Sequence, residues 1–199
     1  MTNPVEARLR NALSRPAGPS TDFDLNPGIR PLADKALRPA AVLVPVWLQP
    51  TGGALVLTKR ASHLKHHPGQ IAFPGGKVDA TDAGPEAAAL REAREEIALD
   101  PAQVEIIGPL PIHETVTGFA VTPFLGLIRG AFHPIPEAGE VEEAFTVPLS
   151  HVLDLDCYTV ERRQWMGVWR RYYAVPYGPH YIWGATARIL RGLADRAAG

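Results

Sequence analysis

Residues 75–99 read GGKVDATDAGPEAAALREAREEIAL and contain the strongest structural signal in the chain. Pro85 suits a first helical turn, and Gly84 before it can serve as the N-cap. Apolar residues then recur at helical spacing on the side that should face the core: Leu90, Ala93 and Ile97. The stretch therefore predicts a helix over residues 85–97, preceded by a glycine-rich loop.

Three carboxylates lie on the opposite side of this predicted helix: Glu92, Glu95 and Glu96. At three- and four-residue spacings they project to one place, where like charges cost roughly a few tenths of a kcal/mol per pair. A divalent cation such as Mg²⁺, which prefers hard oxygen ligands, would turn this repulsion into a binding site. Arg91 can reach Glu95 across one helical turn and hold it. A solvated acidic face is the alternative that the three glutamates alone leave open.

Two adjacent glycines, Gly75 and Gly76, precede the acidic helix. Because glycine has no side chain, the backbone there can approach a metal or a phosphate closely, and a carbonyl oxygen can serve as a further ligand. An ordinary turn after Pro74 is the alternative for this fragment.

GGKVD and REAREEIAL together resemble the Nudix box, GX5EX7REUXEEXGU with U an aliphatic residue. The segment Leu55–Gly76, LVLTKRASHLKHHPGQIAFPGG, is similar to LLTxRSxxLRxHxGQVxFPGG, the signature of the coenzyme A pyrophosphatase branch of the Nudix hydrolases. TGFAVTPFLG (Thr117–Gly126) and IWGATARIL (Ile182–Leu190) also resemble that branch. The similarity covers most of residues 40–192 and implies the α/β class, with a Nudix fold: an α/β/α sandwich with a mixed β-sheet between helices.

The chain departs from the box at two places. Ala83 holds the position of the usual glutamate before REUXEE, one residue further from Gly76 than the pattern requires, while Asp79 and Asp82 supply acids in the same loop. Ala98 replaces the glycine of EEXGU, so we expect a less tightly turned helix exit.

The resemblance implies a catalytic apparatus in which Glu92, Glu95 and Glu96 hold Mg²⁺ or Mn²⁺, with a backbone carbonyl at Gly76 or its neighbour Gly75 as a further ligand. Water would attack the diphosphate of coenzyme A directly, giving 3′,5′-ADP and 4′-phosphopantetheine or its acyl form. Two alternatives stay open: hydrolysis of another nucleoside diphosphate derivative, such as ADP-ribose or NADH, and a catalytically silent Nudix domain used for binding.

Further roles are assigned by the same resemblance. The predicted catalytic residues are Arg91, Glu92, Glu96 and Glu140. Glu140 is the candidate general base, with competitors nearby or a plain acidic surface loop as alternatives: Glu137, Glu142 and Glu143. The predicted substrate-binding residues are Arg60, Lys65, His67 and Gln70, although His67 and Gln70 have the alternative role of satisfying backbone groups of the loop.

The flanking sequence predicts a short helix, Val5–Ser14, and an irregular Pro- and Gly-rich arm that runs to Pro39. We therefore divide the chain into an N-terminal extension, residues 1–38, and a Nudix domain, residues 39–199. The further predicted elements are a hairpin of strands Ala41–Leu48 and Ala54–Lys59, strands Val104–Leu110 and Val121–Ile128, an acidic loop 134–145, a hairpin Trp165–Val175 and a helix Trp183–Ala197. Aromatic residues of the second hairpin are expected to pack on its strands rather than stack on adenine: Trp165, Trp169, Tyr172 and Tyr173.

The composition excludes several classes of protein. With 199 residues, 46% hydrophobic and 21% charged, the chain has the composition of a globular domain. A formal net charge of −1 gives no basic excess for binding nucleic acid. Cys157 is the single cysteine, so no internal disulfide can form. Without a signal peptide or a long apolar stretch, we expect a cytoplasmic enzyme with a small-molecule substrate and no nucleic-acid or membrane partner.

Overall fold

The computed structural model describes residues 3–29, 36–65, 67–165 and 167–199, and of Trp165 it describes the backbone alone. The helices are α1 Pro4–Ser14, α2 Pro85–Ile97, α3 Leu149–Val152 and α4 Ala185–Ala198, with 3₁₀ turns at Pro101–Gln103 and Leu155–Cys157. The strands are β1 Ser20–Thr21, β2 Arg38–Gln49, β3 Gly52–Arg60, β4 Ile71–Ala72, β5 Gly75–Lys77, β6 Val104–Pro109, β7 His113–Glu114, β8 Phe119–Ile128, β9 Val141–Pro148, β10 Thr159–Trp165 and β11 Val168–Ala174.

Within the described residues, nine strands form one mixed sheet, and β10 and β11 form a separate antiparallel hairpin. Parallel pairing of β2 with β8, from Arg38↔Phe119 to Trp47↔Ile128, makes the centre of the sheet. On one side β3 pairs antiparallel with β2 and then with β9. Strand β5 pairs antiparallel with the first half of β2 and so brings the two glycines to the middle of the sheet.

Helices cover both faces of the sheet. Successive residues of a strand point to opposite faces, and apolar residues on both faces are buried under these helices. Leu43 of β2 points to the face covered by α2, and Val44 points to the face covered by α1, α3 and α4. The core under α2 consists of Ala41, Leu43, Val56, Ala88, Ala89, Ala93, Ile97, Leu99, Phe124, Ile128 and Phe132. The opposite core includes Leu9, Val44, Val46, Leu55, Leu57, Leu125, Leu127, Leu190 and Leu193. The predicted α/β/α sandwich with a mixed sheet is confirmed.

Helix α2 has the predicted bounds, with Gly84 in the N-cap position and Pro85 in the first turn. Its exit differs from the prediction. Ala98 adopts the left-handed conformation, φ 54° and ψ 30°, and its N–H closes the helix on the carbonyls of Ala93 and Arg94. The expected looser exit is wrong, because the chain must turn there to bury Leu99, which is 1% exposed.

The N-terminal arm is more regular than predicted. Ser20–Thr21 adds a short strand beside β7, and β2 begins at Arg38, so Pro39 lies within a strand. A two-residue strand shows no alternation that a sequence could reveal. Helix α1 contributes Leu9 and Ala12 to the core, and the domain boundary between residues 38 and 39 stays a prediction.

Three other boundaries were predicted wrongly. The expected acidic loop ends early, because β9 begins at Val141, and the last hairpin begins at Thr159 rather than Trp165. In β9 only Val141 and Val147 are buried, and in β10 every residue whose burial is described is exposed, so neither strand shows the apolar alternation of a half-buried strand. Helix α4 starts at Ala185 because Gly184 has a positive φ of 67°.

Among the residues that the structure describes, no helix combines the length and the apolar character needed to cross a membrane.

Candidate functional site

Strand β5 lies so close to its neighbours that both glycines of the predicted loop are required: Gly75 packs against strand β2, and Gly76 packs against helix α2. A Cβ atom on Gly75 would overlap the backbone of Ala41 and Val42, and one on Gly76 would overlap the carboxylate of Glu92. The missing side chain of Gly75 therefore lets β5 pair closely with β2, and that of Gly76 lets the acidic face of α2 meet the backbone of β5.

Glu96 is the most buried carboxylate of this face, at 4% exposure. The N–H of Gly75 donates to its carboxylate, and Oε2 has no hydrogen-bond partner in the described part of the chain. Burial, followed by repulsion from Glu92 and Glu140, raises the pKa of Glu96 to about 8, although Arg60 acts in the opposite direction. Such an orphaned buried oxygen is costly unless a ligand completes its coordination.

Glu92 is half-buried beside Glu96. Burial raises the pKa of Glu92, and Glu95 and Glu140 raise it further, while Arg91 lowers it. Glu92 and Glu140 thus both act electrostatically on Glu96. We call Glu92, Glu96 and Glu140 the carboxylate site.

Arg91 connects the loop before α2 to the acidic face. Its Nε and Nη2 donate to the two oxygens of Asp82 at 2.9 and 3.1 Å. Its Nη1 donates to Glu92 at 3.1 Å and to Glu95 at 2.9 Å. The Asp82 side chain is 6% exposed, and its hydrogen bonds from Arg91 lower its pKa. Sequence reasoning noted Asp82 as a loop acid but missed this pairing, because a nine-residue separation across a loop has no periodic signal.

Glu95 is, with Glu92 and Glu96, a predicted metal ligand, and its carboxylate lies near that of Glu92, because one donor, Nη1 of Arg91, binds both. It is 59% exposed and accepts from Arg91. In residues 3–29, 36–65, 67–165 and 167–199, no three His, Cys, Asp or Glu side chains are grouped so that they could hold one metal ion. The pair Glu92 and Glu96 still fits a divalent cation, because all its donors are hard oxygens, the carboxylates repel each other and one buried oxygen lacks a partner.

Glu140 reaches the carboxylate site from a distant part of the chain. Its carbonyl accepts from the N–H of Ala61 at 2.8 Å, which fixes the start of β9 beside the end of β3. Two of the competing acids are engaged elsewhere: Glu142 with Lys59 at 2.6 Å, and Glu143 with His180 at 3.4 Å. Of the four acids considered for the base, Glu140 is the one that raises the pKa of both Glu92 and Glu96.

The predicted substrate-binding residues separate into three positions. Arg60 lies close enough to Glu96 to lower its pKa. His67 and Gln70 line a cavity of about 260 Å³, and Lys65 is exposed outside it. We call this space the arginine cavity; its lining residues include His67, Gln70, Arg163, Arg170, Tyr172 and Trp183. Of the aromatic residues of the hairpin, Tyr172 lines this cavity and Trp169 is 59% exposed.

A sequence model of the NUDIX domain matches residues 37–166. The chain belongs to the Nudix family. This match includes the two glycines, α2 with its three glutamates, and Glu140. Nudix hydrolases generally use divalent metal ions, in agreement with the donors that Glu92 and Glu96 offer.

Relatives of this Nudix hydrolase cover most of its length. The protein named "Uncharacterized Nudix hydrolase NudL" of Enterobacter sp. (strain 638) is 50% identical over 157 residues, which are 79% of this chain and 81% of that one. Its namesake in Salmonella paratyphi B is 49% identical over 160 residues, with the same coverage. Among solved structures, the Nudix hydrolase RenU of M. smegmatis has a TM-score of 0.50 at 24% identity, covering 59% of this chain and 74% of that one. This likeness supports the fold alone.

Proposed function

We propose that this Nudix hydrolase cleaves the diphosphate of coenzyme A or its acyl derivatives, releasing 3′,5′-ADP and 4′-phosphopantetheine or its acyl form. The observation that carries the proposal is the signature segment Leu55–Gly76, which resembles the coenzyme A pyrophosphatase branch. Its Arg60 lies beside Glu96, and its His67 and Gln70 line the arginine cavity. One segment thus borders both the carboxylate site and a separate cavity.

The three glutamates of α2 are the proposed ligands of a divalent cation. Glu92 and Glu96 would hold Mg²⁺ or Mn²⁺, with the Gly76 carbonyl as a further ligand. When bound, the cation supplies positive charge that stabilises the charge developing on the diphosphate. Glu95, which shares the Nη1 donor of Arg91 with Glu92, would be the third carboxylate ligand.

Glu140 is the proposed general base, because it lies close enough to Glu92 and Glu96 to raise their pKa values and is not itself a residue of α2. Its role is to accept the proton of the water that attacks one phosphorus, while the other phosphate leaves. Arg60 would donate hydrogen bonds to the diphosphate oxygens, since a guanidinium offers a planar pair of donors. No covalent intermediate is required.

The substrate is tested by comparing coenzyme A, acetyl coenzyme A, ADP-ribose, NADH and diadenosine polyphosphate, each with Mg²⁺ or Mn²⁺. Products are separated by chromatography and kcat/KM is measured for each substrate. We expect 3′,5′-ADP to form from coenzyme A, with a kcat/KM at least tenfold above those of the substrates without pantetheine. Faster cleavage of ADP-ribose or NADH would contradict the proposed substrate and leave the reaction class intact.

Glu96→Gln separates an enzyme from a silent binding domain. Removing this carboxylate from the site should lower kcat/KM about a hundredfold or more, since stabilisation by a bound metal amounts to several kcal/mol. The matched control is Glu143→Gln, because Glu143 is an exposed partner of His180. Unchanged turnover in Glu96→Gln, or no turnover of any substrate by the wild-type protein, would refute the assignment of the carboxylate site.

A further inference from the structure

The arginine cavity lies between the N-terminal arm, the hairpin β10–β11 and the start of α4. Its volume of about 260 Å³ is below the range of about 300–1,000 Å³ that holds a whole drug-sized ligand. It therefore suits one end of an extended substrate. Its lining combines cationic and aromatic side chains, a combination that binds phosphorylated nucleosides.

Two arginines of the cavity are directly opposed. Arg163 of β10 pairs in register with Arg170 of β11, and both share a face of the hairpin with Tyr172. Like charges at directly opposite positions destabilise an antiparallel pair. A phosphate between the two guanidinium groups would remove that repulsion and accept charge-assisted hydrogen bonds.

Asp22 of the arm is the acidic residue of this cavity, and its oxygens are already engaged. Oδ1 lies 3.2 Å from Nε2 of His113, and Oδ2 accepts from the N–H of Val116 at 2.8 Å. Asp22 is also close enough to Arg170 for the two charges to interact. The lining thus combines one carboxylate, Asp22, with three arginines, Arg163, Arg170 and Arg171, which gives it a net positive formal charge.

The aromatic part of the cavity provides a stacking surface next to these cations. Tyr172 and Trp183 meet edge to face with centroids 5.1 Å apart, and the guanidinium of Arg163 lies 5.6 Å from the Trp183 ring. Any nucleobase can stack on such rings, because every base has a π-face.

The cavity is joined to the carboxylate site through backbone hydrogen bonds. The N–H of Arg60 donates to the carbonyl of Gln70 at 3.0 Å, and the N–H of Gly69 donates to the carbonyl of Arg60 at 3.1 Å. Gln70 lines the cavity, while Arg60 acts on Glu96. A substrate with its diphosphate at Arg60 would thus have one end directed at the cavity.

We propose that the arginine cavity binds the 3′-phosphorylated adenosine end of the substrate, with the 3′-phosphate between Arg163 and Arg170 and the purine against Trp183 and Tyr172. This inference rests on the proposed function and names the part of the substrate that gives specificity. Coenzyme A has this 3′-phosphate, and dephospho-coenzyme A lacks it. The cavity would therefore bind coenzyme A more tightly than dephospho-coenzyme A.

The test compares Arg163→Gln with the matched control Arg162→Gln. Arg162 is the neighbouring residue of β10, on the opposite face, where it lies 5.1 Å from the Trp169 ring. We expect Arg163→Gln to lower kcat/KM for coenzyme A at least tenfold and to change that for dephospho-coenzyme A less than twofold. Arg162→Gln should leave both values within twofold of the wild type. Equal losses on both substrates in Arg163→Gln, or no loss on either, would overturn the inference.

A binding measurement tests the arginine cavity even if the proposed coenzyme A hydrolysis is not observed. If the wild-type enzyme leaves coenzyme A intact, titration calorimetry with 3′,5′-ADP and with 5′-ADP still tests the cavity. Tighter binding of 3′,5′-ADP that disappears in Arg163→Gln would support the 3′-phosphate site. Equal affinity for both nucleotides, or a preference that survives in Arg163→Gln, would overturn it.

Discussion

At the scale of single residues, the carboxylate site depends on one ion-pair network as much as on its own acids. Arg91 binds Asp82 through two donors and reaches Glu92 and Glu95 with a third. The bond to Asp82 anchors the guanidinium, so that Glu92 keeps one orientation against Gly76. Asp82 is thus a positioning residue that the box pattern does not contain at this spacing.

Asp82→Asn should lower kcat/KM about tenfold to a hundredfold, the usual effect of losing a group that orients metal ligands. The loss should appear mainly in kcat, because Asp82 accepts hydrogen bonds from Arg91 and from the N–H of Asp79, neither of which is a proposed substrate-binding residue. Asp79→Asn is the matched control, since Asp79 is 63% exposed and lies 3.7 Å from Arg91. Steady-state kinetics on both variants checks this. Equal effects of the two substitutions would mean that Asp82 contributes only to the local charge.

At the scale of elements, helix α2 ends in a conformation that its sequence does not favour. Ala98 has a positive φ of 54°, where a side chain costs roughly 1–2 kcal/mol. Its N–H nevertheless bonds to Ala93 and Arg94 carbonyls, and the turn buries Leu99. Packing against the sheet therefore determines this exit rather than local preference.

Ala98→Gly should raise the free energy of unfolding by roughly 1 kcal/mol, because glycine adopts this conformation without a steric penalty. In a chain of this size that raises Tm by about 2–4 °C. Ala87→Gly in the same helix is the opposite-sign control and should destabilise by about 0.5–1 kcal/mol. Thermal and urea unfolding measure both effects. A lower Tm for Ala98→Gly would refute strain at this position.

At the scale of the whole molecule, the N-terminal arm fastens the hairpin β10–β11 to the sheet. Asn26 donates to the carbonyl of Arg171 at 2.9 Å and accepts from its N–H at 2.8 Å. Asp22 binds the buried ring of His113, whose other nitrogen lies 2.9 Å from the Ser20 hydroxyl. The arm thereby forms one wall of the arginine cavity and, through Asn26, binds the hairpin β10–β11 that forms the opposite wall.

Burial acts to raise the pKa of Asp22, but its hydrogen bond and charge interaction with His113 hold that pKa below the ordinary value. A carboxyl with a lowered pKa stabilises the fold above its ordinary pKa of about 3.9 and loses this effect as pH falls through the lowered value. Asp22→Asn should therefore destabilise the protein at pH 7, by a difference that shrinks below about pH 4. Urea unfolding across this range measures the difference, with exposed Asp195→Asn as the control. A difference independent of pH would contradict the assignment.

The sequence by itself determined the features whose signal lies within a few helical turns. Helix 85–97, its apolar and acidic faces, the two glycines beside it and the family follow from residues that are neighbours in the chain. Their spacing alone fixes which side chains share a face.

Only the tertiary structure decided which of these groups meet. Glu140 comes close enough to act electrostatically on Glu92 and Glu96 because β9 pairs with β3, and Arg91 binds both Glu92 and Glu95. The arginine cavity collects residues from the arm, the loop after β3, the hairpin and α4. Which distant residues meet in these sites depends on strand order and register. Both arise from packing the two faces of the sheet at once, so they cannot be predicted from the spacing of residues that are neighbours in the chain.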